Sequence, residues 1–152
     1  MKVMIIEDSL SKLKAISEFL NQYIDIECCY AHTWHDGVIA LSSSSFDLLL
    51  LDMCIPCYDG ALQDEGRLLA LGGYDMLFYL RQHRISIPVI IITQYGSFGG
   101  IGMDLKEMDI KFQKEFPNNY MGYVYYNVTQ DKWKDDLAVF LDHPWIGGSE
   151  KS

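Results

Sequence analysis

Strand-like and helix-like segments alternate five times along this 152-residue chain, and that alternation constrains the fold more than any other feature. Five apolar runs rich in strand-forming residues, at 2–7, 24–31, 46–52, 87–93 and 120–127, read as strands. The third and fourth are almost continuously hydrophobic, as strands covered on both faces must be. Helical spacing fills the intervals. Leu10, Leu13, Ile16, Phe19 and Leu20 share one face after Ser9, a suitable N-cap. A weaker helix spans 33–41, and Tyr74, Leu77 and Leu80 mark a third. Leu105, Met108, Phe112 and Phe116 mark a fourth, stopped by Pro117; Trp133, Leu137, Phe140 and Leu141 mark a fifth. The alternation predicts an α/β fold: right-handed crossovers building a doubly wound, five-stranded parallel sheet with helices on both faces. In such sheets reactive groups collect at the carboxyl ends of the strands.

The length suits one domain, expected over 1–142, with a C-terminal tail at 143–152. Two stretches exceed a minimal five-unit domain: an extended connection at 61–73 and a glycine-rich loop at 96–102. Formal net charge is -9. An acidic surface argues against nucleic acid, which needs clustered Lys and Arg to displace counterions, and against anionic membranes. No apolar run approaches the ~20 residues that span a bilayer, and "MKVMIIEDS" is no secretory signal. A cytoplasmic address is expected, with Cys28, Cys29, Cys54 and Cys57 reduced. Cys28 and Cys29, adjacent in a strand, should point to opposite faces as core filling.

Strand-end logic brings three acids together. Glu7 and Asp8 end the first strand and Asp52 ends the third, and these strands are neighbours in a doubly wound sheet. Two like charges ~4 Å apart repel by about 4 kcal/mol at an effective dielectric near 20. A hard divalent cation such as Mg2+ relieves such crowding; an acidic surface edge without metal is the other reading.

"IIEDS" at 5–9, "LLLLDMCIP" at 48–56 and "PVIIIT" at 88–93 together resemble the receiver domain of bacterial two-component response regulators. The resemblance covers residue 2 to about residue 141 and implies a flavodoxin-like strand order of 2-1-3-4-5. It implies that Asp52 accepts a phosphoryl group from a histidine kinase or phosphotransfer protein. Glu7 and Asp8 would hold Mg2+, joined by Asp52 and the backbone carbonyl of Cys54. Thr93 would bond the new phosphoryl oxygens, and Tyr123 would swing inward with it. Pro56 matches the family's proline, whereas Gly60 and the "GG" at 72–73 compete for the glycine that follows, so a segment from Ala61 looks inserted. The implied protein is a stand-alone switch, not an enzyme, which signals to a downstream effector protein through surface contacts. Monomer and homodimer are both open.

One departure matters. The family keeps a lysine late in the fifth strand, followed by proline; here Tyr126 and Asn127 stand in those places. Lys132 and Lys134 fall on the following helix. The retained acids favour a phosphorylatable switch, and the missing lysine favours a pseudo-receiver that binds proteins without being phosphorylated.

Other motifs are weaker. Cys54 and Cys57 form a Cys-x-x-Cys pair, but in a loop with a proline between and no helix start to lower a thiol pKa. The glycine-rich loop lacks the third glycine of G-x-G-x-x-G and any basic residue. His32 and His35 have no evident third ligand. A haloacid dehalogenase phosphatase would need an aspartate where Cys54 stands.

Overall fold

The computed structural model describes residues 1–23, 25–55, 66–94, 97–98 and 103–143. Strands β1 (Lys2–Ile6), β2 (Glu27–Ala31), β3 (Leu48–Leu51), β4 (Val89–Thr93) and β7 (Tyr120–Tyr125) form one parallel sheet in the order β2-β1-β3-β4-β7. This is the expected 2-1-3-4-5 order. Two short antiparallel strands, β5 (Ser97–Phe98), within the 96–102 segment expected as loop, and β6 (Met103–Asp104), just past it, pair with each other. Residues 96 and 99–102 of that segment lie outside the described residues.

Each central strand buries both faces. Leu48, Leu49, Leu50 and Leu51 are all buried, which is why β3 reads as an unbroken apolar run. Helices α2 (Trp34–Ser43), α3 (Gly66–Gln82) and α4 (Leu105–Glu115) cover one face through Leu41, Met76, Leu77, Leu80, Met108 and Phe112. Helices α1 (Leu10–Leu20) and α5 (Lys132–Leu141) cover the other through Leu13, Ile16, Trp133 and Leu137. Cys29 packs on the first face and Cys28 on the second, as alternation along β2 requires.

Two helices depart from expectation. Leu10, expected on the buried stripe of α1, is 70% exposed, and Lys12 is buried in its stead at 1%. The stripe runs Lys12, Leu13, Ile16, Phe19, Leu20, keeping the expected apolar positions from Leu13 onward and differing only in the first turn. The cause is electrostatic, because the first turn of α1 faces the carboxylates at the strand ends. In the 61–73 stretch, expected as an extended connection, helix begins at Gly66, and 61–65 lie outside the described residues. Glycine pairs ordinarily weaken helices, but Gly72 and Gly73 answer a packing demand. A Cβ on Gly72 would lie 2.5 Å from Ile55 Cγ1, and one on Gly73 would lie 2.8 Å from Met53 Cα and 2.9 Å from the Asp52 carbonyl. The Gly73 N–H donates to the Met53 carbonyl at 2.8 Å. Thus α3 braces the loop that follows Asp52.

At the sheet edge, the β4–β7 register jumps between Val89↔Tyr120 and Ile90↔Gly122, leaving Met121 as an extra residue. Gly122, at φ +158°, lies under the Phe140 ring, where a Cβ would come within 2.6 Å. This bulge turns Tyr123 toward α4 and Val124 toward α5.

Candidate functional site

The parallel register sets strand ends side by side. Residue 52 follows Leu51, which pairs with Ile6 on one side and Ile91 on the other. The Asp52 N–H donates to the Ile6 carbonyl at 3.2 Å and the Glu7 N–H to the Ala31 carbonyl at 3.0 Å, so backbone bonds fix both acids at the sheet's carboxyl edge. Glu7, Asp8 and Asp52 each offer one oxygen, all within 4.8 Å of one another. Glu7 and Asp52 are buried and Asp8 is exposed. Among the described residues this is the one such cluster of metal-ligating side chains.

Lys12 enters this cluster from α1. Ser9 caps the helix, its side chain accepting from the Lys12 N–H, and places Lys12 in the first turn. The Lys12 Nζ lies 2.7 Å from Glu7 Oε1, 3.4 Å from Asp52 Oδ1 and 2.7 Å from the Ile92 carbonyl oxygen, to which it donates. An ammonium has three N–H donors, and three oxygens surround this one. The bond to Ile92 ties α1 to β4 one residue before Thr93. Glu7 Oε2 accepts from the Ser9 N–H at 3.1 Å. His32 Nδ1 donates to the Glu7 carbonyl at 3.1 Å, so this histidine steadies the end of β1.

Burial raises the Glu7 carboxyl above the usual carboxylate range; the Asp52 charge adds to the rise, and Lys12 opposes it. Burial likewise raises Asp52; Lys12 and the Cys54 backbone amide pull it down, and Asp8 pushes it up. In both, burial is the leading cause, because it disfavours the charged form of a carboxyl. With all three ionised, one ammonium leaves two negative charges uncompensated. Asp52 Oδ1 is buried and accepts no hydrogen bond. Hard oxygen donors, two excess charges and an unbonded buried oxygen fit a hard divalent cation.

Thr93 is wholly buried at the end of β4, where its carbonyl accepts from the Tyr126 N–H at 2.8 Å. Tyr123 lies mid-strand in β7, paired with Ile91 and half-buried against the α4 side of the core. Tyr126 is 7% exposed, with its ring centroid 5.8 Å from Lys12 Nζ and 5.2 Å from the ring of Trp133. Lys132 pairs with Asp136 on α5, and Lys134 with Asp131, the residue that precedes the helix. The Cys54 thiol is pushed up to about 12, chiefly by burial and next by the Asp52 charge, which disfavours its thiolate form. Cys57, Pro56 and Gly60 lie outside the described residues.

Lys12 is the residue that sequence reading missed. Its signal was present: it stands four residues before Ile16 and eight before Leu20, on the stripe that α1 buries. A lysine on that stripe, one turn after two acids, asks for a buried partner.

The chain matches no protein-family model. It is 30% identical over 145 residues to the Detocs response regulatory protein DtcB of Enterobacter cloacae (strain JD6301), spanning 90% of this chain and 95% of that protein. Its fold is similar to the Francisella response regulator 1452 receiver domain, with a TM-score of 0.67, 18% identity, and 95% of each chain covered. It is similar also to response regulator protein TrrA from Thermotoga maritima, solved in complex with Mg2+-BeF, with a TM-score of 0.59, 15% identity, and 92% of this chain and 98% of that one covered. No helix among the described residues is long and apolar enough to cross a membrane. The sequence relative and the fold agree: the chain belongs to the response regulators, as a receiver domain.

Proposed function

We propose that this receiver is a phosphorylatable switch, with Asp52 as the phosphoacceptor and a histidine kinase or phosphotransfer protein as the donor. One observation supports the reading: a buried Asp52 oxygen without a hydrogen bond, on a carboxylate that gathers with those of Glu7 and Asp8 within 4.8 Å. Glu7, Asp8, Asp52 and the Cys54 carbonyl would hold Mg2+, which supplies charge neutralisation at the transferring phosphoryl group. Asp52 presents its carboxylate at the end of a rigid strand. An Oδ–P bond forms there as the donor's P–N bond breaks, the electron pair returning to the imidazole nitrogen. The Thr93 hydroxyl, at the end of the neighbouring strand, would bond the new oxygens, and Tyr123 on β7 would follow. The phosphorylated and free arrangements are then two states of one loop set, biased by the new acceptor oxygens. Such a protein is a cytoplasmic switch, not an enzyme.

The signal leaves through α4, β7 and α5 to an effector protein. Of the aromatic residues in that region, Tyr120, Tyr126 and Trp133 are buried and Tyr123 is half-buried; Tyr125 is exposed, alongside Ile110 and Val139 on the helices. The aromatic cluster is therefore chiefly core, and the docking face is smaller.

A second reading has its own observation. Lys12 already supplies the carboxylates with a cation, as a pseudo-receiver that is never phosphorylated would need. Incubation with Mg2+ and acetyl phosphate, read by intact mass, separates the two. The switch gains one phosphoryl group in the wild type and none in Asp52→Asn. No adduct, or one that survives the substitution, selects the pseudo-receiver.

A further inference from the structure

We infer that Lys12, entering from α1, is the cation that holds the phosphoryl oxygens on Asp52, taking over from the fifth-strand lysine that Tyr126 replaces. The inference rests on the reading of Asp52 as phosphoacceptor.

The geometry of the ammonium carries it. Two of its three contacts are short, 2.7 Å to Glu7 Oε1 and 2.7 Å to the Ile92 carbonyl. The third, 3.4 Å to Asp52 Oδ1, is an ion pair without a hydrogen bond, since that oxygen accepts none. The side of Lys12 that faces Asp52 is thus the loosely held side. A buried lysine serving only as counter-ion would close all three bonds, because a buried donor or acceptor left unmade is costly. A phosphoryl group on Asp52 brings acceptor oxygens into that gap while the other two contacts hold the ammonium in place.

Tyr126 shows why the cation comes from α1. Its ring centroid lies 5.8 Å from Lys12 Nζ, so a side chain from position 126 and one from position 12 reach the same space. The ring also packs on Trp133 of α5 at 5.2 Å. A shift of the ammonium toward the phosphoryl oxygens changes what Tyr126 packs against, and Trp133 lies next in line. The downstream lysines are engaged elsewhere on α5. In the step itself an Oδ–P bond forms on Asp52, the P–O bond of acetyl phosphate breaks, and the electron pair leaves with acetate. Lys12 gives and takes no proton.

The test uses Mg2+ with beryllofluoride as the phosphoryl mimic, titrated into the wild type, Lys12→Met, and Lys12→Met with Tyr126→Lys. Readouts are the indole N–H resonance of Trp133 and the apparent Kd for beryllofluoride. Acetyl phosphate labelling by intact mass runs in parallel, and the dispersion of the amide spectrum reports folding. In the wild type the Trp133 resonance should shift. Lys12→Met should bind beryllofluoride roughly ten- to hundredfold more weakly, the worth of a charge-assisted hydrogen bond, and leave Trp133 unmoved. Tyr126→Lys should restore binding by returning the charge from β7. The inference is overturned if folded Lys12→Met binds and responds like the wild type. It is overturned too if both variants fold and the double variant recovers nothing, because the loss is then one of packing. A wild type that takes no label on Asp52 removes the functional reading itself, and the inference with it.

Discussion

The β1–β3 corner and the β4–β7 corner of the sheet edge hold opposite lessons. At β1–β3 the acids stand where the receiver resemblance puts them, at adjacent strand ends tied by backbone bonds. At β4–β7 Thr93 is present, but Tyr126 stands where the resemblance leads one to expect a lysine, and the ammonium beside Asp52 comes from α1. The acids depend on strand ends that only one register supplies, so they can come from few positions. A lysine has a long flexible stem and can reach the same point from a helix or from a strand.

The largest expected effect breaks the first corner. Asp52→Asn should abolish the phosphoryl adduct outright, and an adduct retained elsewhere would dissolve the contrast. Lys12→Met then probes the link between corners. Removing one member of a buried ion pair costs about 3–5 kcal/mol, so urea denaturation without divalent cations should show a loss of that order, smaller when Mg2+ is added. A change under about 0.5 kcal/mol, ordinary for surface sites, would mean that Lys12 is not seated as described.

The next pair compares the braces of the two corners. Gly73→Ala forces a Cβ to 2.8 Å from Met53 Cα behind Asp52, and Gly122→Ala forces one to 2.6 Å from the Phe140 ring at positive φ. Each should cost about 1–3 kcal/mol by overpacking. Gly73→Ala should also slow labelling by acetyl phosphate, because it displaces backbone beside the acceptor. Gly122→Ala should lower the urea midpoint with less effect on labelling. Equal slowing by both would erase the distinction.

Much of this was legible beforehand. Unbroken apolar runs such as 48–51 announced a sheet covered on both faces, and strand-end acids announced the cluster. What stayed hidden depended on partners distant in sequence. The apolar stripe of α1 was legible from Leu13 onward, but in the first turn the buried member is Lys12, paired with Glu7 and Asp52, where apolar counting put Leu10. The start of α3 was obscured because Gly72 and Gly73 look like a break until the close backbone of 52–55 is placed against them. The β7 bulge, which decides the side on which Tyr123 lies, has no local signature beyond Gly122.

The smallest expected effect concerns the rival chemistry two residues past Asp52. With its thiol held up to about 12, Cys54 should alkylate slowly with iodoacetamide at pH 8 in the folded protein, and peptide mapping would show it. Cys54→Ala should leave Asp52 labelling nearly unchanged. Rapid modification of Cys54 would bring redox chemistry back to the loop.

A crystal structure of the full chain with Mg2+ and beryllofluoride tests the central claim most directly. Beryllofluoride should sit on Asp52, with the cation among Glu7, Asp8 and Asp52 and the Lys12 ammonium hydrogen-bonded to a fluorine. An unmodified Asp52, or a Lys12 turned away from the adduct, would contradict the account.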